Sequence, residues 1–417
     1  MKPSLLFLCH RIPYPPNKGD KIRSYHLLGY LNQHYRVFLG AFIDEESDWD
    51  HVARVNELCE ETCFIRLNPR KARVKSLTGL ITHRPLTLPY YANRQLADWT
   101  KRIVDQQEIK RLIVYSSAMA QYVLDSDLGI ERRIVDFVDV DSDKWRQYAG
   151  KKSWPMSWVY RREADRLLHF ERKVAACYDA SLFVSSAEAE AFRQLSPHSG
   201  EKVDFYNNGV DTAYFSPDRD YPNPYPEGTA ALVFTGAMDY WPNIDAVIWF
   251  AREIFPIIRQ TRPDLRFYIV GSKPSAAVSQ LEREPGIVVT GRVEDVRPYL
   301  AHAVAAVAPM RIARGIQNKV LEAMAMAKPT IVTSMGLEGI SATDTVEVHV
   351  ANDAPSFARK IDMIFDGMGT AGTLGATARA KVCREFTWEG SLPRVGKLLE
   401  NTPTEISSPE NVVSECG

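Results

Sequence analysis

Gly315, Asn318, Lys319 and Glu322 stand close together in "MRIARGIQNKVLEAMAMAKPT", residues 310–330. At about 100° per residue on a helix, Asn318, Lys319 and Glu322 share one arc, while Val320, Leu321, Met324 and Ala327 cover the opposite side. The apolar arc suits packing on a sheet, which leaves the polar arc to meet a ligand. Gly315 lets the backbone approach closely just before the helix starts, and the free N–H groups of the first turn favour an anion there. Arg311, Arg314 and Lys319 add positive charge. The set suits a diphosphate, with Glu322 one turn further in to accept hydrogen bonds from ribose hydroxyls. The same residues also read as a capped surface helix with an i,i+3 Lys–Glu pair, and the helix alone does not choose between the two.

Other segments carry chemistry-capable residues. "PPNKGDKIRSYH" follows the first strand, with Gly19 for tight passage, Asp20 as an expected N-cap and Lys18, Lys21 and Arg23 as cations that read either as facing a ligand or as solvated surface charge. "VDFVDVDSDK" places Asp139, Asp141 and Asp143 just past another strand. One of these acids could orient a hydroxyl or take a proton; the alternatives are a divalent-metal Asp-x-Asp site and acids that merely cap the turn. Lys273 in "GSKP" and Arg292 in "TGRV" are further cations at strand ends.

These residues need elements to hold them. Short β-branched runs (5–9, 37–42, 63–67, 111–115, 133–137 and 180–184) alternate with helical patterns such as 21–33, 93–106 and 160–177. A Pro-rich stretch, "SPDRDYPNPYPEGT", interrupts at 216–229, and the alternation restarts with strands 231–234, 266–270, 287–289, 304–308 and 329–333 and a helix over 244–259. Helices over 354–365, 370–385 and 388–399 close the fold. This alternation predicts α/β architecture with two doubly wound parallel sheets, whose ligands lie at the carboxyl ends of the strands in a cleft. The expected division is a first domain 1–217, a linker 218–229, a second domain 230–385, a helix 386–400 that crosses back, and a polar disordered tail 401–417.

Composition bounds the rest. The chain has 417 residues, 45% of them hydrophobic and 25% charged, and a formal net charge of −1, which excludes a general nucleic-acid binder. No apolar run reaches the roughly 20 residues of a membrane helix. The start has only a short apolar segment before its prolines, so no secretory signal is expected and the protein is placed in the cytoplasm. Six scattered cysteines are expected as reduced thiols.

"NKVLEAMAMAKPTIVTS" resembles the nucleotide-binding signature of family 4 glycosyltransferases, whose GT-B fold has two Rossmann-like domains facing across a cleft. "VFTGAMDYWPNIDAVIWFAREIFPII", "RFYIVGSKP", "IVVTGRVEDVRPYLAHAVAAVAPM", "FYNNGVDTAYFSP", "FERKVAACYDASLFVSSAEAEAF" and "FTWEG" resemble other segments of that family in the same order. "RIPYPPNKGDKIRSYHLL" and "VDFVDVDSDKW" resemble the sugar transferases of exosortase (PEP-CTERM) exopolysaccharide loci. The resemblance implies a retaining, metal-independent transferase that moves a sugar from a UDP- or GDP-linked donor to a saccharide or polyprenyl-diphosphate-linked acceptor in cell-surface polysaccharide assembly, with no cofactor. Gly19, Gly236, Lys273, Arg292, Arg314, Gly315, Asn318, Lys319 and Glu322 are the implied donor-binding set. Asp139, Asp141 and Glu322 are the candidates for catalysis.

Three departures from the family stand out. The glutamate often found eight residues before Glu322 is replaced by Arg314. The loop "GAMDYWPN" lacks the usual Arg and Lys, so Arg314 is expected to supply the missing cation. No His follows the strand that leads to Asp139. Rival readings are a nucleotide-sugar 2-epimerase and a degenerate sugar-nucleotide-binding protein. Residues 66–84, basic and acid-free, and 145–173, with three Trp and eight Lys/Arg against three acids, suit peripheral contact with an anionic inner membrane; the alternative is an ordinary helix with solvated charges and buried aromatics.

Overall fold

A computed structural model describes residues 2–400 apart from 17, 151, 314 and 368–370. The chain divides into two compact units. One runs to Tyr206 and resumes at Leu392; the other is Asn207–Ser391.

The first unit is built on a parallel sheet of seven strands: β1 Ser4–Cys9, β2 Arg36–Ile43, β3 Glu61–Arg66, β4 Arg111–Tyr115, β5 Arg132–Val138, β6 Ala180–Phe183 and β7 Val203–Phe205. Their order is β3-β2-β1-β4-β5-β6-β7. β1, central in the order, is apolar along its length because both faces are covered, and Leu5–Cys9 are fully buried. Asn93 caps the helix Arg94–Gln106 through the Leu96 N–H, and that helix buries Leu96, Trp99 and Ile103.

The second unit repeats the plan with β8 Ala231–Thr235, β9 Arg266–Val270, β10 Ile287–Gly291, β11 Ala305–Ala308, β12 Thr330–Val332 and β13 His349–Val350, ordered β10-β9-β8-β11-β12-β13. All its pairings are parallel. β7 and β13 have three and two residues, too short to show a period in the sequence.

Several expectations need correcting. The Pro-rich stretch 218–229 is not a free linker. It belongs to the second unit, where buried Tyr225 packs edge-on against Tyr268 at 4.6 Å and donates its hydroxyl to the Tyr299 carbonyl at 2.6 Å. The helix expected over 244–259 runs from Trp241 to Thr261 but loosens to π-helix over Phe250–Ile254. Pro256 follows and has no N–H to return to an i−4 carbonyl, so the bonding shifts by one residue. The closing helix breaks before Pro393 into Trp388–Ser391 and Pro393–Leu399. The latter joins the first unit, where Arg132 Nε donates to the Leu398 carbonyl at 2.6 Å and Arg111 pairs with Glu400 at 2.8 Å. The tail 401–417 lies outside the described residues.

A fully buried ionic network ties the first unit together. The Arg23 guanidinium donates from Nε to Asp136 at 2.9 Å and to the Tyr206 and Phe183 carbonyls, and its carbon lies 3.4 Å from the Tyr206 ring centroid. The Tyr206 hydroxyl donates to the same carboxylate at 2.5 Å. Removing one member leaves the opposite charge buried and uncompensated. Asp136→Ala is therefore expected to cost about 3–5 kcal/mol in denaturant unfolding, whereas an exposed-pair change such as Glu57→Ala stays within about 1 kcal/mol. Equal effects would show that the network carries little.

Candidate functional site

In the second unit the site grows from the carboxyl ends of β8 to β11. Gly236 follows β8 with φ +154, and Gly271 follows β9. A Cβ on Gly271 would lie 1.6 Å from the Gly236 carbonyl oxygen, and one on Gly236 would lie 2.8 Å from Asn243 Nδ2 and 3.4 Å from Lys319 Cε. Two glycines thus let the two backbones touch and let the Lys319 stem cross over them. Asn243 holds this turn by donating to the Ala237 carbonyl at 2.9 Å, and its Oδ1 is buried without a partner among the described residues.

Gly315, with φ +66, bends the chain into the helix Asn318–Ala325. Gln317, the residue before the helix, does not cap it; its amide donates to the Gly315 carbonyl at 3.2 Å. Val320, Leu321 and Met324 are fully buried, which leaves the arc of Asn318, Lys319 and Glu322 half-buried near the carboxyl end of β8. Asn318 Oδ1 accepts from Asn208 Nδ2 at 3.4 Å. Lys319 Nζ donates to Gln317 Oε1 at 3.3 Å and lies 5.5 Å from the Phe234 ring centroid. The Glu322 carboxylate makes no hydrogen bond among the described residues. Burial pulls the Lys319 ammonium down to about 8, partly offset by Glu322. Burial likewise pushes the Glu322 carboxyl up to about 7, partly offset by Lys319. A desolvated cation and a desolvated acid are thus held one turn apart.

Lys273, with φ +55, and Arg292 are exposed at the ends of β9 and β10, and Arg292 forms no ion pair among the described residues. Arg311, expected to add charge beside the helix, instead pairs with Asp245 through two contacts of 2.7 and 3.0 Å. Arg314 lies outside the described residues. Gly236, Gly315, Asn318, Lys319 and Glu322 thus come together.

The first unit holds the remaining candidates. Gly19 opens the helix Gly19–His34, but Asp20 does not cap it. Lys18 occupies the cap position, while the Asp20 carboxylate takes Arg11 at 2.7 Å and His10 at 3.3 Å. Burial would raise this carboxyl, but His10, Arg11 and the Lys21 N–H together hold it well below the usual range. Lys18, Lys21 and Arg23 do not face a ligand either: they pair with Glu45 at 2.9 Å, with buried Asp48 at 2.6 Å and with Asp136. Lys144 Nζ holds Asp139 at 2.6 Å and Asp141 at 3.3 Å, while Asp143 accepts from Gln147. Burial would lower the Lys144 ammonium, and the two acids raise it instead.

His10 is a feature the sequence reading passed over. It follows β1, stacks on Tyr115 at 5.8 Å, and has a buried Nδ1 with no partner among the described residues beside the Nε2–Asp20 contact. A titratable residue at the end of an apolar strand, ten before an Asp, was the available signal.

Residues 229–366 match the family model described as "Glycosyl transferases group 1". An uncharacterized 44.6 kDa protein in the cps region of Klebsiella pneumoniae is 22% identical over 138 residues, which are 31% of this chain and 36% of that protein. The match thus spans about a third of that relative's length. Among solved structures, Anabaena HepE in complex with UDP is 13% identical with a TM-score of 0.65, covering 95% of this chain and 100% of that one. WaaG, a glycosyltransferase involved in lipopolysaccharide biosynthesis, is 12% identical with a TM-score of 0.65, covering 95% and 99%. At such identities the likeness shows the fold, which is GT-B: two Rossmann-like parallel-sheet domains.

The raised Glu322 carboxyl has a consequence for stability. The folded state retains this proton between the unfolded value of 4.5 and about 7, so Glu322 subtracts stability as pH rises through that window. Glu322→Gln is expected to raise unfolding stability at pH 8 by about 1–3 kcal/mol, with the gain vanishing below about pH 4.5. Denaturant titrations at several pH values check this; a gain of equal size at acid pH would refute it.

Proposed function

We propose that the protein is a metal-independent, retaining glycosyltransferase that moves a sugar from a UDP- or GDP-linked donor to a saccharide or polyprenyl-diphosphate-linked acceptor. The observation that carries the reading is the half-buried Lys319–Glu322 pair beside the Gly236 turn and the amino end of the Asn318–Ala325 helix. In the first unit the cations after β1 are matched by carboxylates; here Lys319 has none in hydrogen-bonding reach among the described residues. A cation kept desolvated without a carboxylate on it suits an anionic ligand, and a diphosphate presented to a helix amino end fits.

In this reading the Gly315 turn, the first N–H groups of the helix and Lys319 hold the diphosphate, with Gly236 giving it room. Asn318 fixes the helix start, Lys273 and Arg314 add charge, and Arg292 lies toward the base. Glu322 accepts from the ribose hydroxyls. Transfer breaks the bond from the anomeric carbon to the phosphate oxygen and forms one to the acceptor oxygen. The acceptor proton passes to the departing phosphate. The group 1 family match over 229–366, the UDP held by HepE and the cps and lipopolysaccharide settings of the relatives support a donor site and a role in exopolysaccharide or other surface polysaccharide assembly, on the cytoplasmic side.

Ligand at about 100 times its dissociation constant adds ~2.7 kcal/mol of stability. A thermal-shift screen in EDTA is expected to give a clear rise for either UDP- or GDP-sugars and none for Glu322→Ala. Because ribose hydroxyls bind the ionised carboxylate, donor affinity should fall as pH drops below about 7. The product's anomeric configuration by NMR tests retention. A shift that requires manganese would overturn the metal-independent reading, and sugar release without acceptor would favour a 2-epimerase.

A further inference from the structure

The first unit exposes an unusual surface. On the helices Pro69–Ser76 and Thr78–Ile81, Val74 is 70%, Leu77 53% and Ile81 83% exposed. Arg70, Lys71 and Arg73 stand exposed around them without an ion pair among the described residues. The helix Met156–Cys177 brings a second set. Trp158 is 55% exposed and heads an open groove of about 500 Å³ that continues along Arg161, Arg162, Asp165, Arg166 and His169.

The two sets form one surface. Arg162 donates to the Gly79 carbonyl at 2.7 Å and to Arg84's at 3.3 Å. The next residue, buried Glu163, accepts from the Leu86 and Thr87 N–H groups at 2.6 and 3.1 Å. These contacts clamp the short helices beside the amino-terminal half of the long one. The groove's one acid, Asp165, is already drawn to Arg146 at 3.6 Å, so its cations are not neutralised from within. Large apolar side chains pointing to solvent beside unneutralised Arg and Lys match a phospholipid interface, where apolar groups enter the acyl boundary and cations meet phosphate.

We propose that this surface docks on an anionic bilayer, with Ile81, Leu77 and Trp158 entering the interface and the Arg161–Arg166 groove taking a lipid headgroup phosphate. The assignment does not depend on the donor-site reading, because its test uses neither nucleotide sugar nor acceptor.

The test is co-sedimentation of the full chain with phosphatidylcholine vesicles, with and without phosphatidylglycerol. Binding to the anionic vesicles is expected to exceed binding to neutral ones by at least about tenfold at low salt and to weaken as salt rises. Ile81→Ser with Trp158→Ser, and separately Arg161→Gln with Arg166→Gln, should each lower partitioning by about tenfold. Unchanged thermal unfolding certifies the variants; should one fail, Leu77→Ser or Lys71→Gln with Arg73→Gln replaces it. No vesicle binding, or variants equal to the parent, overturns the proposal. So does binding that ignores the apolar changes and is abolished by inorganic diphosphate, which would make the groove a soluble-phosphate site.

Discussion

Two backbones that touch are the constraint on which the second unit's site depends. Gly236 and Gly271 end neighbouring strands so closely that no side chain fits at either position. The Lys319 stem passes beside this pinch, its Cε 3.4 Å from where a Gly236 Cβ would stand, and burial lowers its ammonium to about 8. The helix that carries it is just eight residues long and gains little from its own hydrogen bonds. Val320, Leu321 and Met324, fully buried beneath it, supply the stabilisation that offsets the desolvated Lys319 and Glu322. The site is therefore preorganised at a local loss in stability, a familiar property of binding sites for charge.

The two units treat charge in opposite ways. After β1 the first unit neutralises its ions in place, through Arg11 with Asp20 and Asp44, Lys18 with Glu45 and Lys21 with Asp48. Deeper in, Arg23 satisfies Asp136 and two backbone carbonyls at once. Such pairs specify how loop and sheet fit together but leave no field for a ligand. In the second unit Lys319 and Arg292 stand at the strand ends without a carboxylate on them among the described residues. Sequence alone cannot separate these cases, since "NKGDKIRSYH" and "RGIQNKVLEAM" are both basic runs around a glycine. What separates them is the placing of acids distant in sequence. Asp48 lies 27 residues from Lys21 and Asp136 lies 113 from Arg23.

The same distinction explains what was legible beforehand. Strands with a sustained apolar run, such as "SLLFLC" and "RFYIV", announce themselves, and so does the amphipathic arc of 318–325, because both follow from periods the residues carry locally. β13, with two residues, carries no such period. The stretch 218–229 looked like a linker because its prolines and glycine signal turns. Tyr225, one aromatic among them, anchors it to the Tyr268 and Tyr299 rings, a contact that only the fold creates. His10 was hidden for a related reason: Tyr115 meets it only when β1 and β4 pair, and Asp20 only when the following helix folds back beside β1.

The question that follows is where an acceptor proton would go. A carboxylate serves as a base through a free lone pair, and the Asp139 and Asp141 oxygens already accept from Lys144 at 2.6 and 3.3 Å. His10 directs Nε2 at Asp20, and its remaining nitrogen, Nδ1, is buried against its neighbours. Neither arrangement offers an unencumbered base at the surface of the first unit. Glu322 has open oxygens, but the proposed donor site commits them to ribose hydroxyls. A diphosphate held by Lys319 and a helix amino end brings its own basic oxygen, which appears as the bond to the sugar breaks and lies on the face the sugar has just left. Proton transfer to that oxygen requires no protein base and keeps attack on the same face. In the proposed reading, a retaining course draws on that oxygen and asks for neither the Asp139 and Asp141 carboxylates nor the His10 imidazole.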